Sequence, residues 1–153
     1  MHFYSYGIPA HSDRVLKIIP GPKPKLELIG NELRTGSHRN DGKYKFLGAV
    51  CGSCPCDVNN VYLFPSDTDY VVQINTETDV VREIGPSLVT LERIRQNKWQ
   101  NGFVAPDGVI YGIPLKSESI LRIRPRGEGE EPEVTTIGGP FKGLNKWCVM
   151  MLY

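Results

Sequence analysis

Lys98-Trp99 opens the stretch that decides the fold, and Gly102-Phe103-Val104-Ala105-Pro106-Asp107-Gly108 follows it. The chain then enters Val109-Ile110-Tyr111-Gly112-Ile113-Pro114, turns through Leu115-Lys116-Ser117-Glu118, and resumes as Ser119-Ile120-Leu121-Arg122-Ile123. After a polar loop it closes on Val134-Thr135-Thr136-Ile137-Gly138. The apolar runs are too short for helices and are separated by turn residues, so the stretch reads as four short strands.

The same text occurs twice more. Tyr62-Leu63-Phe64-Pro65 begins 49 positions before Tyr111, and Tyr6-Gly7-Ile8-Pro9 begins 56 positions before Tyr62. Four residues past each proline stands an acid (Asp13, Asp69, Glu118), preceded by a hydroxyl residue (Ser12, Thr68, Ser117). Leu28-Ile29-Gly30, Glu83-Ile84-Gly85 and Thr136-Ile137-Gly138 close the three units. Lys43-Tyr44, Lys98-Trp99 and Lys146-Trp147 stand ahead of successive first strands. A period of roughly 50 residues is that of a repeat architecture.

The units run approximately over residues 1–42 with 146–153, 43–97 and 98–145. Each holds four strand candidates. The first follows the Lys-aromatic pair (Phe46 to Cys51, Gly102 to Ala105, Cys148 to Tyr153), and the second ends in a proline that cannot donate to a ladder. The third alternates, with Lys17, Gln73 and Arg122 as outward members, and the fourth precedes Ile-Gly. Leu88 to Asn97 is expected to form at most a turn or two of helix. The class is all-β.

The repeat Lys-Trp…Ala-Pro-Asp-Gly-x-Ile-Tyr-Gly-Ile-Pro…Ile-Leu-Arg-Ile resembles the blade repeat of uncharacterised propeller-like proteins of protists. The resemblance covers nearly the whole chain and implies a β-propeller fold, with no catalytic motif to carry over. The second unit departs from it, reading Cys51-Gly52-Ser53-Cys54-Pro55-Cys56-Asp57 where the third reads Ala105-Pro106-Asp107-Gly108. Propellers have 4 to 8 blades, and three units fall short. A homodimer closing six blades, a piece of a longer repeat protein, and a three-fold monomer such as a β-trefoil or β-prism all satisfy the count. The sequence begins at a second strand and finishes on a first, so Lys146 to Tyr153 are expected to supply the missing first strand of the first unit. Closure rules favour the dimer, in which each terminal strand completes the partner's first unit.

Length and charge bound the function. The 153 residues suffice for a core without staples, and 18 basic against 17 acidic side chains leave a net charge of +1. No field recruits nucleic acid or an anionic membrane. No apolar run approaches the ~20 residues of a membrane span, and Met1 to Pro9 lack the make-up of a signal peptide. A cytoplasmic protein with reduced thiols is expected.

Candidate chemistry is sparse. Cys51, Cys54 and Cys56 share one loop, with Cys148 as a distant fourth, and make a half-site for zinc without its second half. Ordinary thiols are the better reading, and no cofactor is implied. Lys98, Trp99, Lys146 and Trp147 offer an aromatic-and-cation platform for a sugar ring or peptide. The competing reading makes the aromatics inter-sheet packing, with each lysine in solvent. Asp13, Asp69 and Glu118 read as turn-capping acids rather than a cation ring. His11 and His38 lie in loops expected on one face, near enough to meet each other or Asp13. No nucleophile elbow or phosphate loop accompanies them. The expectation is a non-catalytic binding or scaffolding module that uses loop residues on one face, with a protein or carbohydrate as ligand. A lectin-like carbohydrate binder and a small propeller hydrolase or lactonase stand as alternatives.

Overall fold

The computed structural model describes residues 4–52, 57–127 and 129–147. They form three antiparallel sheets with no helix among them. The first sheet joins β1 (Ser5–Gly7), β2 (Val15–Ile19) and β3 (Lys25–Ile29). The second joins β4 (Phe46–Cys51), β5 (Asn60–Pro65), β6 (Val71–Asn75) and β7 (Val81–Ile84). The third joins β8 (Trp99–Val104), β9 (Ile110–Pro114), β10 (Ile120–Arg124) and β11 (Glu133–Ile137). Each is a meander whose spatial order follows the chain. The expected strand of Cys148 to Tyr153 lies outside the described residues. The first strand of the third unit begins at Trp99 rather than Gly102, because the aromatic pairs with Pro114.

The sheets stack face to face in chain order. One core lies between the first and second sheets, built on Val15, Ile29, Phe46, Leu63, Val72 and Ile74. The other lies between the second and third and holds Tyr62, Phe64, Ile84, Trp99, Leu121 and Val134. Both faces of the second sheet are therefore covered. This corrects the outward assignment of Lys17 and Gln73, which are buried. Lys17 Nζ meets both Asp79 carboxylate oxygens at 2.6 and 2.7 Å, an ion pair from the first sheet to the second. Arg122 is only partly covered and reaches Glu133 on its own sheet.

First strands meet where the units converge. β8 runs beside β4 and β5, and a Cβ at Gly48 would sit 1.8 Å from the Gln100 carbonyl oxygen. Both first strands are irregular at the same place, between Phe46 and Gly48 and between Trp99 and Asn101. An extra residue there bends the strand and lets the backbones approach.

The junction between units is a repeated backbone device. Tyr44, Asn97 and Asn145 hold φ values of 55°, 50° and 50°, each just before a lysine. The Lys45 N–H donates to the Ala10 carbonyl, Lys98 N–H to Ser66 and Lys146 N–H to Leu115, at 2.8, 3.0 and 2.9 Å. Each acceptor directly follows an anchor proline. The carbonyls of Asp13, Asp69 and Glu118 likewise accept from Leu33, Leu88 and Phe141, at 2.7, 2.8 and 2.8 Å. The true counterpart of Lys98-Trp99 is thus Lys45-Phe46, two positions past the expected Lys43-Tyr44. Residues 88–97 form a single turn, closed by Glu92 N–H on the Leu88 carbonyl, before continuing as loop.

Candidate functional site

The junction lysines do not stay in solvent. Lys98 is 2 % exposed, and its ammonium donates to the carbonyls of Ser66, Thr68 and Arg95 at 2.9, 2.8 and 3.3 Å. Burial pulls its pKa down to about 8, while Asp67 and Asp69 push the other way. Lys45 is similarly buried and reaches the carbonyls of Gly42 and His11. Lys146 does the same with Lys116 and Gly143, but is less covered. Each ammonium bonds the carbonyl three residues behind it and the turn after an earlier anchor. These lysines clamp units together, and the ammonium of Lys98 is turned onto backbone carbonyls rather than solvent.

The aromatics divide. Trp99 is 0 % exposed and donates its indole N–H to the Ser119 carbonyl at 2.8 Å, leaving no free face for a sugar or peptide. Trp147 is 47 % exposed and meets Phe141 edge-on, with ring centroids 5.6 Å apart. It borders a hollow of about 520 Å³ on the outer face of the third sheet, walled by Phe103, Tyr111, Ile113, Ile120 and Ile137.

His11 and His38 gather at the first junction, though neither is paired with Asp13. His11 meets Tyr44 edge-on at 4.7 Å, and the Arg39 guanidinium lies 5.4 Å from the same ring's centroid. Arg39 is gripped by Asp41 through two hydrogen bonds of 2.6 Å and by the buried Asp67. That grip raises the Arg39 pKa, and the guanidinium holds Asp41 down at about 2. Asp67 also accepts the Asn97 N–H at 2.7 Å. Beneath them His38 brings Nε2 to 4.0 Å from an Asp67 oxygen, and both its ring nitrogens are buried without a hydrogen-bond partner. Burial, followed by the nearby Lys98 charge, lowers the His38 pKa, so the ring is neutral near pH 7. Arg39, Tyr44, Asp67, Gln96 and Asn97 enclose a polar cavity of about 490 Å³.

Two further features were not anticipated. Glu92, in the loop after β7, is buried and accepts from Ser117 Oγ, from Ser119 Oγ at 2.7 Å, and from the N–H groups of Ile94 and Glu118. Burial pushes its pKa up, but these bonds outweigh it and hold the carboxyl below its usual range. A cleft of about 430 Å³ has a polar line along its floor. Arg82 donates to Gln73 Oε1 at 2.8 Å, Gln73 to Tyr62 Oη at 3.0 Å, and Tyr62 to Asp57 Oδ1 at 2.8 Å. Burial raises the Asp57 pKa. Tyr62, Gln73 and Arg82 are cross-strand partners, so the line is a consequence of register.

Of the cysteines, Cys51 ends β4, free and exposed, while Cys54, Cys56 and Cys148 lie outside the described residues. Among the described residues no group of three His, Cys, Asp or Glu side chains is placed to hold a metal ion. No helix there is long and apolar enough to cross a membrane. No family model, curated protein or solved structure matches this chain.

Proposed function

We propose that this chain is a non-catalytic binding module of β-propeller type, three units of a six-unit ring completed by a second copy. It engages a peptide segment of a partner protein at the first junction. The observation that carries the reading is that this junction breaks the repeat. Residues preceding the clamp lysine are Tyr44, Asn97 and Asn145, and all three hold the left-handed conformation. Asparagine adopts it readily and tyrosine does so at a cost. Tyr44 accepts that cost and presents a half-exposed ring between His11 and Arg39, above the polar cavity. Recurring residues serve the fold, whereas a ligand site needs positions where units differ.

The charges suit a neutral, hydrogen-bonding ligand. Arg39 is already neutralised by Asp41 and Asp67, so the cavity has no spare cation for a phosphate. A backbone segment can use the remaining amide groups of Gln96 and Asn97 while an apolar side chain packs on Tyr44. The free thiol of Cys51 suits the reducing cytoplasm. Carbohydrate stacking finds less support, because the exposed Trp147 faces apolar walls while a sugar needs polar partners beside the ring.

A displayed random-peptide library selected on wild type and on Tyr44→Asn tests the proposal. The substitution copies the other two junctions and keeps the backbone conformation. Enrichment of a peptide family on wild type that falls at least tenfold on the variant is the expected result. Equal enrichment, or none, overturns it. Retention on a glycan array that Trp147→Ala abolishes would put the lectin in its place, and a chelator-sensitive ester hydrolysis the hydrolase.

A further inference from the structure

The two outermost sheet faces carry the same residue positions that the two internal seams bring together. Between the first and second sheets, Gly30 lies against Val81, whose Cβ would stand 2.6 Å from a Cβ on the glycine. Between the second and third, Gly85 lies against Val134 at the same 2.6 Å. Both glycines end a unit in the left-handed conformation, with φ of 75° and 70°, and both valines share one register position in the last strand. The series leaves one glycine and one partner position over. Gly138, with φ of 69°, ends the third unit, and Leu26 holds the valine position in the first. Leu26 is 67 % exposed, whereas its counterpart Val134 is 4 % exposed.

The flanking residues tell the same story. Ile84 is 1 % exposed between sheets, and its counterpart Ile137 is 38 % exposed on the outer face of the third sheet. Trp99 is sealed, whereas Trp147 is half open over the apolar hollow. On the first sheet Lys25-Leu26-Glu27-Leu28 alternates as a strand with one buried face, yet all four are exposed. Gly7 receives the Leu16 side chain as Gly112 receives Leu121, but Gly112 also lies under the Phe64 ring of the neighbouring sheet.

We propose that a second copy of this chain covers both faces at once. The inference rests on the ring proposed above and identifies its seams. The Leu26–Leu28 face of each copy docks on the Ile137–Trp147 face of the other, with Leu26 over Gly138. Because every copy carries both halves, a two-fold axis makes two identical seams and closes the ring. Apolar faces of this kind left open would be an association hazard, and the internal seams supply the geometry that covers them.

The test is molar mass by light scattering on a size-exclusion peak at low micromolar concentration. Wild type is expected at twice the 17.1 kDa chain mass. Leu26→Glu alters one half of the seam and Ile137→Lys the other, and each is expected at 17.1 kDa with an unchanged far-UV circular dichroism spectrum. An equimolar mixture of the two restores one native seam and places opposite charges at the other, so the doubled mass is expected to return. Wild type that is monomeric, or that assembles beyond two copies, overturns the inference. So does a mixture that stays monomeric, or a dimer that only one of the two variants breaks. Peptide selection on Tyr44→Asn is read on monomer or dimer alike, so a monomer that still selects peptides would remove the ring and leave the first-junction site standing.

Discussion

β5 and β9 are the same element of the repeat, and their environments differ in one respect. In β5 every residue from Val61 to Pro65 is buried. In β9 burial alternates, with Ile110, Gly112 and Pro114 inside while Tyr111 and Ile113 stay partly open. Among the described residues the second sheet has a sheet on either side and the third has one. Alternation belongs to a half-covered sheet, and a continuous apolar run to one covered twice. The difference teaches that a unit's stability is set by its neighbours as much as by its own strands, as expected of a stacked array.

The two tryptophans test this most severely. Trp99 fills the seam between the second and third sheets, and truncating it leaves a cavity as well as an orphaned Ser119 carbonyl. Trp99→Ala is expected to cost about 3–5 kcal/mol in urea unfolding, which for a domain of this size removes much of the total. Trp147→Ala, measured in Leu26→Glu so that the proposed dimer does not enter, is expected to cost under about 1 kcal/mol, because its ring is already 47 % exposed. Comparable losses at the two positions would contradict the idea that neighbours decide.

The closing glycines give a smaller contrast. Gly85 and Gly138 share the left-handed conformation, so alanine at either pays the same backbone penalty of about 1–2 kcal/mol. At Gly85 the new methyl also meets the Val134 side chain at 2.6 Å, whereas at Gly138 it meets only the Phe141 ring at 3.3 Å. In the Leu26→Glu background Gly85→Ala is expected to be worse than Gly138→Ala by roughly 1–3 kcal/mol, the usual cost of overpacking. Equal midpoints of thermal unfolding would refute the seam assignment at Gly85.

Much of this architecture was legible because it is written three times. The anchors at Tyr6, Tyr62 and Tyr111, the acids past each proline and the Ile-Gly endings fix the units, and the sheets follow them. The junction lies two residues past the position the sequence suggests, because Tyr44 and Phe46 are both aromatic and both follow a lysine. Only the backbone separates them: Tyr44 takes the left-handed position that asparagine holds elsewhere, and Phe46 takes the strand position of Trp99. The burial of Lys45 and Lys98 left no signal, since the carbonyls that satisfy them are local turns and distant loops that converge only on folding. Gln73 and Arg82 likewise look like solvent-facing members of alternating strands. It is the third sheet, packed over theirs, that turns Gln73 into part of a buried polar line. His11 and His38 find Tyr44 and Asp67 as neighbours rather than Asp13, because Arg39 joins those two residues across the junction.

The finest probe of covering is the charge on Lys98. Its folded pKa is lowered to about 8 by burial, whereas an unfolded lysine titrates near 10.5. Between those values the unfolded chain holds a proton that the folded chain has released, so stability rises with pH there. The slope from this group cannot exceed about 1.4 kcal/mol per pH unit, one proton's worth. Lys98→Met removes the proton while keeping most of the buried chain volume. The wild-type profile of unfolding free energy, minus that of the variant, is therefore expected to climb from pH 8 to pH 10, above the range in which His38 titrates. A difference that stays flat from pH 8 to pH 10 would mean that the carbonyls of Ser66, Thr68 and Arg95 offset in full what burial takes from the ammonium. The clamp would then hold the seam without any penalty for its charge.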